Sequence, residues 1–133
     1  MKITDIGLLI IRLALGTIFV AHGSQKLFGA LGGSGMSGFI GMVGKLGFPL
    51  PVFWAYAAAI SEFGGGLFLI LGVIPRTSAA LIAITMLVAI SKIHLANGFF
   101  AKDGGIEYQL LILSVCLGLI LTGSGGLSLF NKF

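Results

Sequence analysis

Apolar runs broken by short polar or glycine-rich stretches set the pattern of the chain. Ile6 to about Phe28, Pro51 to about Ile74, Thr77 to about Ala96 and Ile106 to about Thr122 each supply roughly twenty residues. At about 1.5 Å per residue that is the length needed to cross a bilayer's hydrocarbon core. Pro75-Arg76 leaves room only for an antiparallel hairpin of helices, and Asn97 to Gly105 reads as a polar loop. The stretch from Gly29 to Leu50 is too broken to span. Within it Phe39, Met42, Val43 and Leu46 recur at helical spacing with Lys45 away from them, which predicts a short helix lying in the interface. Pro49 and Pro51 end that helix and start the next span. The pattern predicts an all-α integral membrane protein, a single transmembrane domain over residues 1–133 folded as an up-down four-helix bundle with a short interfacial helix in its first loop.

Composition sharpens the reading. Of 133 residues 57% are hydrophobic and only 9% charged, whereas a soluble domain carries about a quarter charged residues. The net charge of +4 comes from eight Lys and Arg scattered singly along the chain. Without a basic patch the charge points to membrane headgroups and not to nucleic acid. The lipid bilayer is the expected partner. Orientation is not signalled, since Lys2, Arg12, Arg76 and Lys132 on one side balance Lys26, Lys45, Lys92 and Lys102 on the other. The one cysteine, Cys116, excludes an intramolecular disulfide, a CxxC redox pair and an all-cysteine metal site, and reads as an apolar filler. No metal site is expected. Gly33-Ser34-Gly35-Met36-Ser37-Gly38 fits G-x-G-x-x-G, but no strand precedes it, so it reads as a flexible turn.

The polar residues inside the spans carry the candidate chemistry. Glu62 is the only charge between Ala55 and Leu69. A charge near the bilayer centre costs about 2.5 to 3.5 kcal/mol even on the lenient insertion scale, so it is normally paired, protonated or used. On a helix it falls on a stripe with Ala55, Ala58, Gly65, Gly66 and Leu69, a face that admits a neighbouring backbone and turns Glu62 toward protein. In the first span Arg12, Gly16, Phe19, Gly23 and Lys26 form a matching stripe with His22 on its flank. Counting depth from the span ends places Arg12 within reach of Glu62, and puts His22, Lys26, His94 and Glu107 together near the opposite side. Lys92 and His94 lie about 200° apart on a helix and are not expected to share a face; Lys92 is expected to snorkel.

These residues carry a family resemblance. RLALGTIFVAHGSQKLFG in the first span, AISEFGGGLFLILGVIPR through the second, His94 in the third, and GGIEYQLLI with GSGGLSL in the fourth resemble the DoxX family of small membrane proteins. The resemblance implies four transmembrane helices, a bacterial or archaeal plasma (inner) membrane location, and cytoplasmic termini. It also implies that Arg12, His22, Lys26, Glu62, His94 and Glu107 occupy the family's recurrent polar positions. Relatives typically end with Gly-Pro-Gly and then Ser-Leu-Asp; here Ser124 stands for the proline and Phe130 for the aspartate.

Two functional classes follow. The first is a quinone-interacting or redox-linked membrane subunit, in which Glu62, Arg12, His22 and His94 form a proton-transfer or polar-head site with Lys26 and Glu107 as binding residues. The resemblance implies a soluble oxidoreductase as partner. Quinone is the cofactor this reading favours, and a haem held by His22 and His94 is disfavoured. The second class is a small proton-coupled transporter acting as a homo-oligomer, or a purely structural anchor for a soluble oxidoreductase. For Arg12 and Glu62 the structural alternative is an ion pair that locks two helices; for Lys26 it is a headgroup anchor. For Glu107 it is a charge favouring the start of its own helix.

Overall fold

The computed structural model describes residues 1–130; Lys132, counted above among the charges, lies outside them. Five α-helices follow one another: α1 (Ile3–Phe28), α2 (Gly35–Lys45), α3 (Pro51–Leu71), α4 (Pro75–Ala89) and α5 (Glu107–Thr122). A loosely wound π turn over Ile90–His94 and a 3-10 turn over Leu95–Asn97 prolong α4. Helix α1, helix α3 and the stretch Pro75–Asn97 are long and apolar enough to cross a membrane. Helix α5 is apolar but shorter, at 16 residues. No strand forms among the described residues beyond one isolated bridge between Val73 and Phe130.

Helix α3 sits at the centre, packed against α1, α2 and α4, while α5 packs on α4. Small residues set the closest contact. A Cβ added at Gly16 would lie 2.6 Å from the Gly66 carbonyl oxygen, and one at Gly23 would lie 2.6 Å from Phe63 Cβ. The glycine faces of α1 and α3 therefore bring the two helices together as the stripes predict. Leu15, Phe19, Leu69, Ile82, Met86, Ile112, Cys116 and Leu119 form the main core, and Phe39 and Val43 of α2 close a second one over Ala55 and Ala59 of α3. Ile10, Ile60, Ile84, Leu111 and Leu121 point outward, an arrangement suited to lipid and hazardous in water.

Three local features differ from the pattern-based expectation. The α3–α4 turn is Gly72-Val73-Ile74, and Pro75 opens α4 instead of forming the turn. Proline's fixed φ and missing N–H suit the first helical position. The turn bends through left-handed φ at Gly72 and Ile74, a conformation costly for a β-branched residue. Helix α2 begins at Gly35, so the last four residues of the glycine-rich motif are helical. The tail folds back across the base: Gly126 N donates to an Asp5 carboxylate oxygen at 2.8 Å, Leu129 N to Leu71 O at 3.2 Å, and Phe130 N to Gly72 O at 2.9 Å. It closes the C-terminal end of α3.

Candidate functional site

Glu62 is 3% exposed and faces protein. Its partner, however, is Lys26, whose Nζ donates to Glu62 Oε2 at 2.5 Å; the expected Arg12–Glu62 contact does not form. The packing register explains the difference. Gly16 meets Gly66 and Ile70, and Gly23 meets Phe63, so Glu62 lies level with the far half of α1, near Gly23. Arg12 is about three turns away from that level. Side chains on a helix lean toward its N-terminus, and Lys26 leans back onto Glu62. Counting depth from span ends assumed that the start of α1 is level with the end of α3; the Gly16–Gly66 contact slides them.

Arg12, 1% exposed, has a different role. Its Nη1 donates to Ser124 O at 3.1 Å and its Nη2 to Leu127 O at 2.8 Å, while Nε is buried without a partner. Gly72 leaves the room the guanidinium needs, since a Cβ there would lie 2.6 Å from Nη1. Gly72 and Gly123 cap the C-terminal ends of α3 and α5, where the helix dipoles are negative. Arg12 thus neutralises converging helix ends and holds the tail. It belongs to the base of the protein and not to the Glu62 site.

Around Lys26 and Glu62 lies a cavity of about 890 Å³, walled by α1, α2, α3, α4 and the start of α5. Most of its wall is apolar, including Phe19, Phe39, Met42, Val43, Phe48, Trp54, Leu81, Ile84 and Met86. Its polar groups are few: Lys26, Glu62, His22, His94, Tyr108, Gln109, Lys92, Ser61 and Thr85. The Lys26 ammonium, whose side chain is 22% exposed, stands 5.2 Å from the centre of the Phe39 ring. The contact ties α2, the cavity's cover, to the ion pair. His22 makes no hydrogen bond among the described residues and stands between Phe19 and Tyr108 at ring distances of 6.2 and 6.4 Å.

His94 is held more firmly. Its Nδ1 lies 2.7 Å from Gly104 O, and its Nε2 lies 3.1 Å from Gln109 Nε2. A carbonyl only accepts, so Nδ1 carries the proton and Nε2 accepts from the Gln109 amide. Both ring nitrogens are therefore engaged, which leaves neither open to a haem iron. The same chain of bonds leaves Gln109 Oε1 buried and unpartnered, a condition that costs about 1 to 3 kcal/mol.

Glu107 does not join this group. It is exposed and accepts the Ala101 N–H at 2.9 Å, fastening the loop before α5. Its helical stripe with Leu111, Ser114 and Gly118 faces outward, and Ile112 and Cys116 face the core. Lys92 and His94, which were not expected to share a face, both line the cavity; the two sit within the π turn over Ile90–His94. The Lys92 ammonium lies 5.4 Å from the centre of the Phe48 ring. Tyr108 and Gln109 were missed by spacing alone. Their available signal was position, directly after Glu107 at the start of the last span, where the chain re-enters the layer holding His22 and His94.

Membrane-length helices enclosing an apolar cavity with a few polar groups in its wall define a small integral membrane protein. The chain belongs to the DoxX family, whose pattern matches residues 7–95. It is similar to the Bacillus subtilis (strain 168) protein named "Putative oxidoreductase CatD", with 36% identity over 128 residues, covering 96% of this chain and 87% of that relative. It is also similar to inner membrane protein YqjF of Escherichia coli K12, with 31% identity over 140 residues, covering 98% and 97% of the two chains. No solved structure matches it.

Proposed function

We propose that this protein is a quinone-interacting membrane subunit of an oxidoreductase system, with the cavity around Lys26 and Glu62 as its binding site. The observation that carries this reading is the cavity itself: about 890 Å³, apolar walls, and one buried Lys–Glu pair. That is the composition expected of a site for a lipid-soluble ring with a polar head. A quinone supplies two-electron chemistry when bound, taking up two electrons and two protons. Lys26 binds and orients the polar head. Glu62, whose Oε1 makes no hydrogen bond among the described residues, holds or releases a proton at that oxygen. His22, which lines the cavity and makes no hydrogen bond among the described residues, passes a proton to or from the bound head. His94 holds Gln109 in place. The relative's oxidoreductase name supports a redox assignment, and electrons would come from a soluble oxidoreductase partner.

In this reading the chain, residues 1–133, acts as one membrane domain that crosses four times, with α5 as the fourth crossing, α2 in the interface, and cytoplasmic termini in a bacterial or archaeal inner membrane. The inner-membrane name of the E. coli relative supports that location. The test is purification from native membranes in mild detergent, followed by extraction of bound lipophilic compounds. A quinone recovered with the wild type and lost from Glu62→Gln, at unchanged yield of folded protein, is the expected result. Equal recovery from both, or none from either, would overturn the assignment.

A further inference from the structure

We infer that the ligand enters the cavity sideways from the bilayer, through a portal at Leu81, Ile84 and Val88 of α4, and that it carries a long apolar tail. The tail stays in the portal while the polar head sits at Lys26 and Glu62. The inference rests on the quinone reading above and narrows it to a long-tailed quinone and a membrane route. The cavity is open along part of its surface. Five large apolar side chains line it and are also exposed on the outside of the protein: Met42, Trp54, Leu81, Ile84 and Val88, at 41 to 58%. These mark where the cavity meets its surroundings. Leu81, Ile84 and Val88, spaced i, i+3 and i+7, share one face of α4.

Depth decides what lies outside the opening. In the membrane-length stretch Pro75–Asn97 these three residues fall within about five residues, or about 8 Å, of the middle, and the hydrocarbon core reaches about 15 Å to either side of the bilayer centre. The opening therefore faces lipid chains and not water. The polar end of the site lies at the same level. Gly65 of α3 packs against Ser78 O and Ile82 of α4, so Glu62, about one turn back along antiparallel α3, is level with about Ala83 to Met86. A head entering at Ile84 meets the Lys26–Glu62 pair without leaving the membrane. The headgroup side is covered instead: the Lys26 ammonium holds Phe39 of α2 at 5.2 Å, and the Lys92 ammonium, at the end of the α4 stretch, holds Phe48 of the α2–α3 connection at 5.4 Å. His22 is exposed as well, but Tyr108 stands beside it, a polar lining suited to protons and not to a hydrocarbon chain. Size points the same way. Sites of about 300 to 1,000 Å³ enclose whole drug-sized molecules, and about 890 Å³ is far more than a single six-membered ring fills.

The experiment places the purified protein in phosphatidylcholine nanodiscs with a benzoquinone whose isoprenoid tail carries a diazirine near the ring. After irradiation the labelled residues are mapped by peptide mass spectrometry, with and without an excess of unlabelled long-chain quinone. Labels at Leu81, Ile84 or Val88 that the competitor removes are the expected result. Ile84→Trp, which narrows the portal from the lipid side, should lose the competable labels at Leu81 and Val88. The wild-type map is informative even if that variant folds poorly. Competable labels confined to the interior at Phe19, Phe39 and Val43, or to His22 and Tyr108, would overturn the inference while leaving the quinone site standing. Competable labels that persist at Leu81 and Val88 in folded Ile84→Trp would do the same. Portal labels that the competitor does not remove would mark ordinary lipid contact and sink the portal, and absence of any competable label would overturn both readings.

Discussion

Arg12 and Lys26 stand on one face of the same helix, about four turns apart, and the protein treats their charges in opposite ways. Arg12 is enclosed at the base, where main-chain carbonyls of Ser124 and Leu127 accept two of its donors beside the C-terminal caps of α3 and α5. Carbonyls of this kind do not titrate, so the partners of Arg12 have no proton to exchange. Lys26 borders a cavity, and its partner Glu62 is a carboxylate that can gain or lose one. A buried charge spent on helix ends locks structure. A buried charge paired with a titratable group beside open volume is available for chemistry.

Substitutions at both ends test this division, starting from the largest expected effect. Lys26→Met leaves Glu62 buried without its cation, and breaking such a pair costs about 3 to 5 kcal/mol. Thermal unfolding in detergent should show that loss, and the double variant Lys26→Met/Glu62→Leu should recover most of the stability while failing to retain ligand. If the double variant stays as unstable as the single one, the pair is not what the first measurement removed. Arg12→Met should cost about 3 kcal/mol, because hydrogen bonds to a charged group are worth about 1.5 to 3 kcal/mol each. It should leave the affinity for cavity ligands unchanged; a parallel fall in affinity would erase the contrast between the two ends.

Gly66 and Gly64 provide a smaller test on a single helix. A Cβ at Gly66 would lie 2.8 Å from Gly16 O and from Val20 N, while nothing lies within 4 Å of one at Gly64. Gly66→Ala should destabilise by about 1 to 3 kcal/mol through overpacking, and Gly64→Ala should stabilise by up to about 1 kcal/mol through helix propensity. Melting curves of the pair must move in opposite directions for the close α1–α3 approach to hold. The smallest change is expected from Glu107→Gln, about 0.5 kcal/mol or less for an exposed charge on a loop N–H. Ligand affinity should not move at all, and a clear loss would return Glu107 to the site from which its exposure now excludes it.

Much of the architecture could be read in advance because hydropathy and glycine spacing act locally. The stripe of Ala55, Glu62, Gly65, Gly66 and Leu69 on α3 is buried, as its helical phase requires. Arg12, Gly16, Phe19 and Gly23 are buried on α1 for the same reason. The partner of Glu62 could not be read the same way. Helical phase says which way a side chain faces but not how far one helix slides along another, and a slide of a few turns exchanged Arg12 for Lys26. Glu107 shows the limit from the other side. Its depth matched the His22 layer, yet its azimuth on α5 points outward while the next two residues, Tyr108 and Gln109, turn into the cavity.

The amino-acid sequence by itself determined that this protein lives in a membrane, how long its helices are, and which faces of α1 and α3 meet, since each follows from side chains within a few residues of one another. Only the tertiary structure decided which cation neutralises Glu62, what Arg12 holds, and that His94 and Gln109 are joined by a hydrogen bond. Those outcomes depend on the register between helices and on a π turn at Ile90–His94. Both are set by the sum of many weak packing contacts across the fold and leave no mark in the local pattern.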